Sequence, residues 1–232
     1  MPLVATLKAI WTGTETRSTY LKYFFTVLAI YTGGIIIGAS FYPGGFSMLT
    51  VYISYLGGNE ENPVGKYPYN ASVFITGIVL IPDFIYLYKR LAPACKVISF
   101  LACACGIWGC AGFVSLSILN QGVGEPHIFS TNFTYAGFGA SAALMLFALI
   151  RKACLKHSWP KWWQIAVIYA QLIGLVGVAL LFTETDVFSG MGIDPAFFAN
   201  KFWEWMYTFA IIGWLVEVAL VTPKWTKDSV NI

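Results

Sequence analysis

The chain has 232 residues, 14 Lys and Arg against 11 Asp and Glu for a formal net charge of +3, and is 58% hydrophobic, 17% aromatic and only 11% charged. A soluble domain of this length would carry about a quarter charged residues, so that class is excluded. The basic excess sits between apolar runs and reads as a membrane-topology signal; it implies no nucleic acid.

Six apolar stretches follow in chain order, at about residues 21–40, 70–88, 97–119, 133–150, 162–183 and 202–221. Each approaches the ~20 residues that a helix needs to cross ~30 Å of hydrocarbon. The first is too long for the apolar region of a signal peptide and lacks a small-residue cleavage pattern, so it reads as a retained anchor. Residues 41–69 are too polar to span. Their Pro43-Gly44-Gly45, Gly57-Gly58 and Asn62-Pro63 are turn signals, which predict a long outer loop. The other connections leave no room for a second soluble domain. Residues 1–232 are therefore expected to form a single all-α domain, a polytopic bundle of six transmembrane helices.

Orientation follows from the basic residues. Lys8, Arg17 and Lys22 precede the first span; Lys89, Arg90 and Lys96 follow the second. Arg151, Lys152, Lys156 and Lys161 follow the fourth, with Lys224 and Lys227 in the tail. That leaves Lys66 and Lys201 for the opposite face, so both termini are expected in the cytosol.

Cys103, Cys105 and Cys110 fall inside the third span and lack the spacing and company of a metal or redox site. Cys95 and Cys154 sit at the expected cytosolic edges, where S-palmitoylation is conceivable. Glycines recur at 33, 34 and 38, at 106, 109 and 112, and at 137 and 139. In lipid, small residues let helix backbones touch, so the third and fourth helices are expected at the centre.

Charged groups in a span are costly, which singles out the intramembrane acids Asp83 and Glu217 and the edge residue Glu204. Asp83 and Glu217 lie in the cytosolic half, within reach of interfacial water or loop bases. Glu204 opens the last span and His127 precedes the fourth. Together with Ser54, Asn70, Asn120 and Gln121 they would form a polar cap at the outer face. Such a cap either braces the first loop or binds a ligand. Two histidines on opposite sides of the bilayer exclude a multi-histidine metal site, and Ser130 and Ser141 lack a His and acid constellation.

These motifs, in this order, resemble the DRAM/Frag/Sfk family of six-span membrane proteins over residues 20 to 222. Ile53-Ser54-Tyr55-Leu56-Gly57 is similar to that family's Ile-Ser-Asp-x-Gly, with Tyr55 in place of Asp. Asn120-Gln121 resembles its Asn-Phe-Gln, lacking the aromatic between. His127 with Gly137 and Phe138 resembles its His-led fourth helix, and Glu204-Trp205 its Glu-Trp. The resemblance implies a non-enzymatic regulator or accessory subunit, acting in autophagy and lysosomes, plasma-membrane lipid organisation or lipid-anchor remodelling. It implies no cofactor. Expected partners are membrane lipids and a membrane protein, in the plasma membrane or an endolysosomal membrane. A lipid-binding or lipid-translocating protein is the alternative. A third reading is an intramembrane enzyme acting on lipids, for which His127 with Glu204 is the pair to test.

Overall fold

The computed structural model describes residues 3–119, 124–156 and 200–225. Every regular element among them is helical: α1 (Leu3–Thr12), α2 (Arg17–Ser40), a 3₁₀ turn (Ile53–Gly57), α3 (Lys66–Val79), α4 (Ile81–Leu91), α5 (Lys96–Ile118), α6 (Glu125–Lys156) and α7 (Asn200–Trp225). Five helical stretches are long and apolar enough to cross a membrane: Arg17–Ser40, Lys66–Leu91, Lys96–Ile118, Glu125–Arg151 and Glu204–Thr222. The described residues are thus all-helical in their regular structure and of membrane-spanning character. The expected fifth span, 162–183, lies outside the described residues.

Three boundaries differ from the sequence reading, each for a local reason. α1 was not foreseen. It packs on α4 and turns into α2 through Gly13, whose φ of +74° suits glycine and whose Cβ would meet Lys89 Cβ at 2.5 Å. The second span, expected unbroken over 70–88, divides at Leu80. Pro82 has no N–H to give the helix, so the Asp83 and Phe84 N–H groups both donate to the Leu80 carbonyl, and the Tyr23 hydroxyl donates to the carbonyl of Val79. The fourth span begins at Glu125, two turns before 133. Pro126 is pre-set for a first helical turn and Glu125 suits its positive end.

Close backbone contact holds the bundle together. α5 and α6 meet where a Cβ on Gly137 would lie 2.5 Å from the Gly109 nitrogen, and a Cβ on Gly109 2.5 Å from the Phe138 ring. The Phe84 ring lies over Gly106 in the same way, stacks on Phe138 with centroids 5.9 Å apart and faces Trp214 at 6.3 Å. α2 meets α3 at Gly34, against the side chain of Ser72. Small residues thus stand where another backbone, a small side chain or a ring comes close, which is how helices associate without a hydrophobic driving force.

The residues after α2 fold back over one end of this bundle. Asn62, fully buried, pins them: its amide donates to the carbonyls of Gly38 (2.9 Å) and Leu56 (3.1 Å), and its oxygen accepts the Gly65 N–H at 3.1 Å. α2 and α5 finish at this loop end, while α3, α6 and α7 begin there.

Candidate functional site

Directly beneath the loop lies a cavity. Four helices each give it one stripe at helical spacing: Phe24, Val27 and Tyr31 from α2; Asn70, Val73 and Thr76 from α3; His127, Thr131 and Tyr135 from α6; Glu204, Thr208 and Ile211 from α7. Ser54 and Gly57 of the 3₁₀ turn roof it, and Phe24, Leu80 and Leu215 close the far end. Glu204 to Leu215 is eleven residues, about 16 Å along the axis of α7. The cavity therefore reaches about half the ~30 Å depth of a hydrocarbon core. A water molecule's centre can occupy about 70 Å³ of it. One water needs roughly 10–15 Å³ by that measure, so the space admits several waters or a slender alkyl chain.

Polarity changes along its length. At the loop end stand Ser54, Asn70, His127 and Glu204; towards the far end the lining becomes Val27, Phe138, Leu80 and Leu215. Glu204 is only 6% exposed. Its carboxylate accepts the Ile53 N–H at 2.9 Å and also faces the N–H and hydroxyl of Ser54. The next residue, Trp205, is 1% exposed and donates its indole N–H to the Val51 carbonyl at 2.8 Å. Two consecutive side chains of α7 thus hold both ends of the segment from Val51 to Ser54. Asn70 adds a third tie, its amide donating to Gly57 at 3.0 Å. His127 is buried, with Nδ1 2.8 Å from the Leu119 carbonyl. A carbonyl only accepts, so Nδ1 carries the hydrogen, and in the neutral ring Nε2 is an acceptor.

Of the residues expected in an outer cap, four therefore line one cavity: Ser54, Asn70, His127 and Glu204. Asn120 and Gln121 lie outside the described residues. Asp83 and Glu217 are absent from the lining. Asp83 is 1% exposed and takes the Tyr20 hydroxyl at 2.6 Å, in place of the water or loop base that the sequence suggested. Glu217 is half-buried on α7. Cys95 is a half-buried free thiol preceding α5; the Cys154 side chain lies outside the described residues. Cys103 and Cys110 are buried among the helices.

Ser54, His127 and Glu204 share a cavity, yet not in the order that nucleophilic catalysis needs. In a hydrolase triad the histidine stands between nucleophile and acid. Here Ser54 meets Glu204 directly, and the histidine nitrogen that should face an acid is held by Leu119. Ser130 donates to the Pro126 carbonyl and Ser141 to that of Ala102. Among the described residues no cluster of His, Cys, Asp and Glu could hold a metal ion.

Sequence reasoning missed the hydroxyls that continue the polar lining, among them Thr131, Tyr135 and Thr208, and the buried Asn62. The signal was present: 127, 131 and 135, and likewise 204 and 208, are spaced by four and share a helix face. No family model, curated protein or solved structure matches the chain.

Proposed function

We propose that this chain is a non-enzymatic integral membrane regulator or accessory subunit of the DRAM/Frag/Sfk kind, which responds to its membrane by holding a lipid-like amphiphile in the loop-end cavity. One observation carries the reading: a narrow cavity whose polar groups gather towards its mouth, with Thr131 and Thr208 a turn further in, and whose far end is lined by Val27, Leu80, Phe138 and Leu215. An amphiphile standing in one leaflet has that same profile, with its head at the interface and its tail in hydrocarbon. The absence of a triad order at Ser54, His127 and Glu204 favours binding over turnover.

Six spans with both termini in the cytosol remain part of this proposal, which makes the loop end the outward face. Its support is the direction of α6 and α7: both begin at the loop end. Its further support is the placing of the basic residues, since Lys89 and Arg90 end α4 far from the loop. The proposed setting is the plasma membrane or an endolysosomal membrane, with a membrane-protein partner that reads the state of the loop.

Purification in mild detergent, followed by native mass spectrometry, tests this. We expect the wild-type chain to retain one single-chain amphiphile, and Ile212→Trp, which fills the cavity wall, to lose it while staying monodisperse. A wild-type chain that carries only a stoichiometric protein partner would keep the accessory role and remove the lipid.

A further inference from the structure

Around Glu204 and His127 the cavity mouth is rich in acceptors. The Glu204 carboxylate draws its donors from the protein, namely Ile53 and Ser54. The Asn70 amide gives one of its two N–H groups to the Gly57 carbonyl. His127 uses its Nδ1 hydrogen on Leu119, leaving Nε2 as the ring's other bonding atom. The hydroxyls of Thr131 and Thr208 donate back into their own helices, to the carbonyls of His127 (3.0 Å) and Glu204 (2.9 Å). Tyr31, Tyr69 and Tyr135 bring hydroxyls that can donate or accept; Glu204, the histidine Nε2 and the two threonines still offer lone pairs.

Charge points the same way. A buried carboxylate is ordinarily paired with a cation, and no Lys or Arg lines the cavity among the described residues. Lys201, one turn before Glu204, holds its ammonium over the Tyr52 ring, 5.5 Å from the centroid. A phosphate or carboxylate head would meet an acid with nothing to offset it. An uncharged hydroxyl head would supply one hydrogen. An ammonium head supplies three, and the missing positive charge.

We infer that the ligand of this cavity is a single-chain amphiphile with a protonated amine head, the amine seated between Glu204 and His127 and the alkyl chain running towards Leu215. This rests on the amphiphile-binding reading above and deepens it by naming the head group. The small volume of the space suits one tail better than two. The amine's charge-assisted hydrogen bonds to Glu204, formed away from bulk water, would make the head group decide affinity.

The experiment uses three heads on one tail: hexadecylamine, hexadecanol and hexadecyl phosphate. Each competes, on the full chain in detergent, against a hexadecylamine that carries a photoreactive group in its tail, and labelled peptides are mapped by mass spectrometry. The expected result is labelling on the cavity stripes of α2, α6 and α7, with hexadecylamine about tenfold stronger than hexadecanol and hexadecyl phosphate weakest. Glu204→Gln keeps an oxygen for the Ile53 N–H and removes the charge. It should bring the amine down to the alcohol's level and leave the alcohol unchanged. If the alcohol or phosphate competes as well as the amine for those same peptides, the amine assignment is overturned and the cavity reading stands. If cavity peptides are labelled by no probe, including a photoreactive hexadecanol, both fall. The wild-type series decides even if Glu204→Gln fails to fold.

Discussion

A carboxylic acid inside a bundle of apolar helices is costly unless a donor meets it, and Asp83 meets one from another helix. Tyr20 of α2 donates to it at 2.6 Å and stacks on Tyr86 with ring centroids 4.0 Å apart. The Arg90 guanidinium stands 5.1 Å from the Tyr86 ring and donates to the Glu15 carbonyl at 2.8 Å. A polar chain thus runs from mid-bundle to the end opposite the loop, joining α2, α4 and the α1–α2 connection. Removing the donor alone leaves the acid buried and unmet, which costs about 1–3 kcal/mol. Tyr20→Phe should therefore lower the unfolding temperature in detergent more than Asp83→Asn, which keeps an acceptor for Tyr20. Equal temperatures for Tyr20→Phe and wild type would show that the bond contributes nothing. The sequence exposed Asp83 through residue type alone. Its partner was hidden because Tyr20 stands 63 positions away and looks like any aromatic residue near a membrane edge; only helix packing brings the two together.

Helix by helix, neighbouring residues have opposite worth. Gly33 and Gly34 are adjacent, and a Cβ on Gly33 meets nothing within 4 Å, whereas one on Gly34 would lie 1.8 Å from Ser72 Oγ and 2.2 Å from Ser72 Cβ. Gly33→Ala should be neutral or stabilising by up to about 1 kcal/mol, the helix preference for alanine. Gly34→Ala must part α2 from α3, at a cost of about 1–3 kcal/mol. Thermal unfolding of the two variants should separate in opposite directions, and Ser72→Gly should restore Gly34→Ala. A destabilised Gly33→Ala would mean that another surface covers that face. The glycine clusters were legible as contact points, but which of two neighbours makes the contact is a rotation of 100° about the helix, and a sequence without its partner helix leaves that open. Breaks and ends were lost differently. Pro82 and Pro126 are explicit signals, yet a count of consecutive apolar residues passes over the first and starts too late for the second. α1 was missed because its ten residues are too few to register in a search for stretches of about 20 that span a membrane.

For the whole molecule the deciding asymmetry is charge. Twelve of 14 basic residues fall in segments expected on one side, while the loop end gathers Glu204, Glu60 and Glu61. Basic segments resist translocation, which is the ground for the proposed orientation with the cavity facing outward. A membrane-impermeant maleimide checks that directly. Glu60 is exposed on the loop and Cys95 lies before α5, at the opposite end. In otherwise cysteine-free chains, opening the plasma membrane alone should expose Cys95, while Glu60→Cys should react in intact cells for a plasma-membrane protein and only after the organelle membrane is also opened for an endolysosomal one. The reverse pattern would turn the protein over and place the cavity mouth at the inner leaflet. An amine-bearing ligand would then be drawn from cytosolic lipid, not from the outer or luminal leaflet. Apolar run lengths and charge alternation made the helical membrane class readable. The cavity was not, because a void arises where four stripes fail to close on one another. Each stripe alone, such as Glu204, Thr208 and Ile211, reads as an ordinary helix face. What joins them is the loop, held by Glu204 and Trp205 at one end of α7 and pinned by Asn62 behind. Glu204 faces both the loop, through Ile53 and Ser54, and the cavity mouth, so under the proposed function an amphiphile bound there would share the loop's own anchor and bear on the surface that a partner meets.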